Sequence, residues 1–440
     1  MTVIFIVALG LVAARWLAQI LLARLNRAHV LRHAHHRPDA FAGIMDDRTY
    51  ARSIEYTLAK NRWHQVEVTW NALLIIAILA SGVLPWSYGV ATESLGTSAW
   101  ALAAYLFGIG LFISALQLPL EWHSQFRLET RFGFNTATIR TWLGDLLKGL
   151  VLAALLGYPL LVAIIAIMNW TGSWWWLLVW TVITAFQLLM VGLAPAVILP
   201  WFNKLTPLPE GPLKDRLIAL AERTSFRAAG IQVMDGSRRS RHSNAFFAGL
   251  GRWRKIVLFD TLIEQLSEAE LEAVLAHEIG HFRRRHIRKM VIFSAAGLLG
   301  GLFVASVVIG FDPFPAAFGF SPGERVPVLL LLALLSGTLS FWLTPLINAW
   351  SRRFEYEADR FATTAMQEAS SLVGALRKLT EKNLSNLTPH PVFSAFYYSH
   401  PTLLERESAL RQDPGTRPLD AFGGGATPLV NGDPAHGREM

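Results

Sequence analysis

Two histidines four residues apart, with a glutamate directly after the first, make His277-Glu278-Ile279-Gly280-His281 the stretch of this chain best suited to hydrolytic chemistry. On a helix, positions i and i+4 share a face. Both imidazoles can therefore be aimed at one cation while Glu278, a step round the helix, reaches a water beside it. This is HExxH spacing, and the chemistry it points to is a zinc-activated water with Glu278 as general base. A cation so held wants a third protein ligand and keeps its fourth position open. Arg352-Arg353-Phe354-Glu355-Tyr356-Glu357-Ala358-Asp359 offers two candidates, because Glu355 and Asp359 are four apart and share a face. One can ligate while the other accepts the spare N–H of a ligating histidine, and spacing does not say which. Glu357 points elsewhere and reads as a solvated charge.

Both motifs need rigid carriers. Ser267 followed three residues later by Glu270 is a capping-box signature. With no Pro between Glu268 and Phe311, a helix started there is predicted to run unbroken through the HExxH motif and onward. Gly280 permits close approach of a neighbouring chain. No Pro or Gly lies between Leu346 and Ala369, so a second helix is predicted to carry Glu355 and Asp359.

What those helices join is set by composition. The chain has 440 residues, 52% hydrophobic and only 16% charged, with 16 Trp and 26 Phe and a mean hydropathy of +0.36. Ordinary soluble enzymes, disordered chains and fibrous repeats are excluded, and a lipid-bounded protein is indicated. With no Cys, disulfides, thiol nucleophiles and Cys-ligated metals are ruled out. Apolar stretches long enough to span a bilayer occur near Val3 to Ala23, Val68 to Trp86, Ala99 to Leu118, Leu146 to Met168, Trp174 to Leu199, Met290 to Ile309 and Val326 to Ala349.

The net charge of +8 therefore speaks to topology, and a nucleic-acid partner is not expected. Lys and Arg crowd the connection after the first span, whereas Ser87 to Ser98 and Asn169 to Ser173 have none, and the alternation continues to the tail. By the positive-inside rule the N-terminus lies outside, and the segment before span six and everything after Trp350 lie together in the cytoplasm. The chain divides into residues 1–200 (spans one to five), 201–289 (a cytoplasmic lobe with the HExxH helix), 290–350 (spans six and seven), 351–411 (a cytoplasmic helical segment with the third ligand) and 412–440 (a disordered tail). Within the lobe, Gly230 to Met234, Asn244 to Ala248 and Lys255 to Asp260 read as strands, the last two forming a hairpin. The exposed strand at Asn244, Ala245 and Phe246 can hold an extended peptide by adding it to the sheet edge.

The HEIGH and SRRFEYEADRFA segments, together with Ser240 to Phe247, Lys255 to Thr261 and Ser399-His400-Pro401, resemble the integral-membrane zinc protease family of type 1 CaaX prenyl endopeptidases. Gly133-Phe134-Asn135 and Phe202 to Leu208 resemble the same family, so the likeness spans roughly Tyr50 to Arg411. The resemblance implies a mainly α membrane protein: seven transmembrane helices around a water-filled chamber, with a zincin-like lobe carrying a small β-sheet. It also implies one zinc ion per chain held by His277, His281 and Glu355, with Glu278 as catalytic base and Asp359 behind the ligands. Asn244 then borders the cleft, and His400 and Arg406 act near the scissile bond or support the metal site. The partners implied are a peptide or protein substrate and the lipid bilayer.

A transporter or scaffold would serve equally well as a seven-span protein, but neither requires an intact base at Glu278. Two proteolytic roles remain open, CaaX processing and removal of damaged membrane proteins as in the related heat-shock-type membrane zincins. The ending Arg438-Glu439-Met440 has no dilysine-type retrieval signal, which favours a bacterial plasma membrane. His33, His35 and His36 read as an incidental exposed run.

Overall fold

The computed structural model describes residues 2–35, 37–226, 229–248 and 254–412. His36, the hairpin loop at 249–253 and the tail beyond residue 412 lie outside the described residues. Among the described residues, seven helices are long and apolar enough to cross a membrane: Val3–Arg32, Asp47–Ala80, Ala99–Phe132, Ile139–Trp170, Gly172–Phe202, His286–Ile309 and Arg325–Met366. Six of the expected spans fall inside these helices. The second ends sooner, at Ala80, where Gly82 adopts φ +72°, a left-handed turn that costs glycine little. The stretch expected to be a loop from Ser87 is then largely helical, Val83–Leu95.

Phe5, Val12, Ile78, Tyr105, Ile165 and Leu331 meet in a core that ties several of these helices together. Their outward faces are apolar. Trp86, Trp100, Trp170 and Trp174 are 60–85% exposed at the helix ends far from the lobe, a placement that water would penalise and a headgroup layer favours.

The lobe is built on a four-stranded sheet: β1 (Leu205–Pro207), β2 (Gly230–Met234), β3 (Ala245–Ala248) and β4 (Lys255–Phe259), in the order β1-β2-β4-β3. The β3–β4 pair is the expected antiparallel hairpin. Two features were not expected: the short strand β1, and the parallel pairing of β2 with β4. Asp260, expected to close the last strand, instead opens a short helix, its carboxylate accepting from the backbone N–H groups of Ser237 and Thr261. One face of the sheet packs on Leu271, Leu275 and Ile279 of helix Glu268–Arg283 through Ile256 and Leu258.

The lobe is anchored to the bundle by residues of the motifs that had carried only the resemblance, together with Thr136, Asp145 and Arg239 beside them. Gly133, at φ +82°, ends the third spanning helix and lets the next residues run alongside the lobe. There the Phe134 carbonyl accepts from Arg241 N (3.0 Å), and Thr136 N donates to Arg239 O (3.2 Å). Arg239 closes the joint: its guanidinium donates to both carboxylate oxygens of Asp145 (2.8 and 2.9 Å), to Asn203 Oδ1 (3.0 Å) and to the Phe202 carbonyl (2.6 Å). Arg239→Ala strands all three acceptors and is expected to cost about 2–3 kcal/mol, read as a lower unfolding temperature in detergent. Arg239→Lys recovers only part, because an ammonium cannot span the carboxylate bidentately. Unchanged unfolding of Arg239→Ala would show that the joint carries no stability.

Candidate metal centre

Helix Glu268–Arg283 begins at the predicted cap. Glu270 N donates to Ser267 Oγ, and Ser267 N donates back to Glu270 Oε2 at 2.7 Å. With its Leu271, Leu275 and Ile279 stripe committed to the sheet, the helix presents His277, Glu278 and His281 to the helix Thr344–Met366, which carries Glu355 and Asp359. The two helices touch at Gly280, where a Cβ would lie 3.0 Å from both Ala358 Cα and Ala358 O.

At this crossing His277 Nε2 and His281 Nε2 stand 3.1 Å apart. Glu355 completes a triangle, Oε2 lying 3.5 Å from His277 Nε2 and Oε1 lying 3.3 Å from His281 Nε2. Tetrahedral zinc with bonds of roughly 2.0–2.1 Å places its ligand atoms about 3.3–3.4 Å from one another. The three distances lie near that figure, each imidazole meeting its own Glu355 oxygen, and one donor atom from each residue lies within 4.8 Å of the others, so these residues fit the ion. Glu355 is 3% exposed, and its Oε2 makes no aligned hydrogen bond although His400 Nδ1 approaches to 2.9 Å. A buried carboxylate oxygen without a donor is an acceptor that a dication satisfies.

Behind the triangle, His277 Nδ1 is hydrogen-bonded to Asp359 Oδ1 at 2.8 Å. Arg406, 9% exposed, donates through Nε to Asp359 Oδ2 at 2.7 Å and through Nη2 to Oδ1. Asp359 thus fixes the ring of one histidine and is fixed by Arg406. Burial alone would lower the basicity of His277, but its hydrogen bonds to Asp359 and Glu355 outweigh burial and raise its pKa to about 9. A dication on Nε2 takes the place of that proton. Burial pushes the Glu278 carboxyl up, and the adjoining imidazoles of His277 and His281 pull it part of the way back.

His400 is two-thirds exposed and opens onto a cavity of about 780 Å³ between bundle and lobe, also lined by Asn26, Tyr56, Glu67, His242 and Tyr398. The Asn244 side chain accepts from Ala245 N at 2.8 Å, and its carbonyl accepts from Phe259 N at 3.1 Å. Ala245 is buried in the lobe core and Phe246 packs beside Met234 and Val257. Their side chains therefore serve the fold, while β3 keeps one edge without a strand partner among the described residues.

Two expectations are corrected here, and one residue is added. The helix predicted to run unbroken from Glu268 stops at Arg283, and a new one starts at His286 after Arg285 takes φ +59°. Glu357, expected only as a solvated charge, is 42% exposed but also partnered: its carboxylate lies 3.0 Å from His286 Nε2 and 3.9 Å from Lys289 Nζ. His286 itself was overlooked. It follows three arginines and stands five residues after His281, off the motif face of any continuous helix, so only the break brings it in.

A polytopic helical bundle whose appended lobe offers a His-His-Glu triangle, a neighbouring carboxyl and an open cavity is an integral-membrane zinc metalloprotease. Residues 207–413 match Peptidase family M48, and residues 26–204 match the CAAX prenyl protease N-terminal region with its five membrane helices; the chain belongs to that family. It is 37% identical to the CAAX prenyl protease 1 homolog of Oryza sativa over 85% of this chain and 89% of that one. It is 36% identical to CAAX prenyl protease 1 of Saccharomyces cerevisiae over 85% and 88%, and 30% identical to the human homolog over 86% and 89%. The crystal structure of S. mikatae Ste24p superposes with a TM-score of 0.87 at 29% identity, covering 93% of this chain and 99% of that one. The protein is accordingly a multi-pass membrane endopeptidase whose substrates are peptides and whose surroundings are the bilayer.

Proposed function

We propose that His277, His281 and Glu355 hold one zinc ion per chain and that Glu278 is the general base of peptide-bond hydrolysis. The triangle of donor atoms, with its near-tetrahedral edges, carries this reading. Zinc, when bound, acidifies water and polarises a carbonyl. Glu278 takes the proton from the attacking water and hands it to the departing amine nitrogen. Asp359, clamped by Arg406, keeps His277 in the tautomer that turns Nε2 toward the ion, so Arg406 is a positioning residue. His400 stands between Glu355 and the cavity and meets the scissile peptide from the cavity side. The free edge of β3 receives the substrate backbone as an added strand, beginning at Asn244.

The site faces the cytoplasm with the N-terminus outside, a topology supported by the alternation of basic connections. The bacterial plasma membrane was read from the tail alone, and the three relatives named above are eukaryotic. Their names support a substrate of CaaX type, a C-terminal peptide carrying a prenyl chain. The test is cleavage of such a peptide, prenylated and unprenylated, by the purified protein before and after zinc removal. Chelation is expected to abolish cleavage and added zinc to restore it. The prenylated form is expected to be cleaved at least about tenfold more efficiently, since each buried CH₂ adds about 0.8 kcal/mol. Cleavage surviving complete zinc removal would overturn the metal assignment. Equal cleavage of both peptides would overturn the CaaX reading in favour of membrane-protein turnover.

A further inference from the structure

The two histidines of the triangle are supported differently. His277 Nδ1 meets a carboxylate directly, at Asp359. His281 Nδ1 instead meets a second imidazole, His286 Nδ1, at 3.0 Å, and His286 Nε2 lies 3.0 Å from Glu357 Oε2. Proton placement along this row has one fully satisfied solution. With Nε2 of His281 turned to the ion, its Nδ1 carries the hydrogen and donates to the lone pair of His286 Nδ1. His286 then carries its own hydrogen on Nε2 and donates it to Glu357.

The fold goes to some length to place His286 here. It is 1% exposed and stacks on Phe354, with ring centroids 4.1 Å apart and planes within 10°. Phe354 is the residue just before Glu355. The turn delivering His286 requires an arginine, Arg285, in the left-handed region, a conformation costing an L-residue about 1–2 kcal/mol. Strain of this kind persists where its surroundings repay it, and a hydrogen bond that orients His281 is such a repayment.

We propose that His286 and Glu357 are positioning residues that lock His281 in its metal-facing tautomer, through an imidazole where His277 uses a carboxylate. The proposal rests on the zinc assignment above. Its test follows zinc transfer from purified full-length protein in detergent to a chromophoric chelator, together with the d–d absorption of the cobalt-substituted protein. His286→Phe keeps the stack on Phe354 and removes the acceptor. It is expected to weaken zinc binding about 10–100-fold, the size of effect that partners behind metal ligands exert, and to shift the cobalt bands. His286→Gln retains an amide oxygen able to accept from His281 and is expected to recover most of the loss. Glu357→Ala leaves the core intact and is expected to speed zinc release in the same direction, which serves if His286→Phe fails to fold. Wild-type protein that holds no zinc overturns the zinc assignment and the relay with it. Zinc held by the wild type and released no faster by His286→Phe or Glu357→Ala overturns the relay alone, as do equal losses in His286→Phe and His286→Gln.

Discussion

Glu278→Gln is expected to lower peptide cleavage by about 10²–10⁴-fold, the contribution of a positioned general base, and to leave the zinc content at one per chain. Gln matches Glu in shape and fills the same space. Its amide cannot take a proton from water, however, and the triangle of ligands does not include it. Because burial raises the Glu278 carboxyl, the sign of the pH dependence also follows. The base works only when ionised, so cleavage should fall as the pH drops through a value above the ordinary glutamate pKa of about 4.3. Cleavage and metal content measured on one preparation decide the matter. A variant that still cleaves within a few-fold of wild type removes Glu278 from the mechanism. A variant that cleaves nothing yet sustains the protein's biological output would mean that a scaffold role dominates.

The parts of the site legible in the sequence are those governed by a single helical repeat. HExxH and Glu355/Asp359 both use i, i+4 spacing, which survives whatever the helices do elsewhere. Deciding between Glu355 and Asp359 needed the crossing. Only one turn separates them, and it is the position of Gly280 against Ala358 that sets Glu355 opposite both Nε2 atoms and Asp359 opposite His277 Nδ1. The helix break escaped notice because Arg285 is neither Gly nor Pro, so nothing in its type announces a positive φ. The partner of Glu357 escaped for the same reason: on an unbroken helix His286 would sit on another face. Strand β1 is three residues ending in Pro207, too short for an alternating pattern. The parallel β2–β4 pairing skips a strand in sequence and leaves no local mark. Gly133 and Asn203 were legible only as parts of similar motifs and Arg239 not at all, since their common purpose, holding the lobe to the bundle, joins residues as much as 106 positions apart.

Gly280→Ala should damage both metal binding and cleavage, although it adds one methyl group and changes no ligand. That methyl would sit 3.0 Å from Ala358 Cα and O and 3.1 Å from Phe361 Cβ. Two of these are backbone atoms that no rotamer change can move aside. The helices must part by several tenths of an ångström at the level where His281 faces Glu355, and each is held from behind. Helix Glu268–Arg283 is seated on the sheet through Leu275 and Ile279, and Asp359 is clamped by Arg406. Overpacking costs about 1–3 kcal/mol, which a chain with this much buried core can absorb. The triangle cannot, because its 3.1–3.5 Å edges have little slack around an ion of fixed bond length. Expected outcomes are a protein that still inserts and unfolds cooperatively, zinc binding weakened by at least tenfold, and cleavage down about tenfold, a fraction of the roughly 10²-fold penalty of a full ångström of misplacement. Gly280→Ala with wild-type zinc affinity would show that the helices have room to part, and that the close approach at Ala358 does not set the metal geometry.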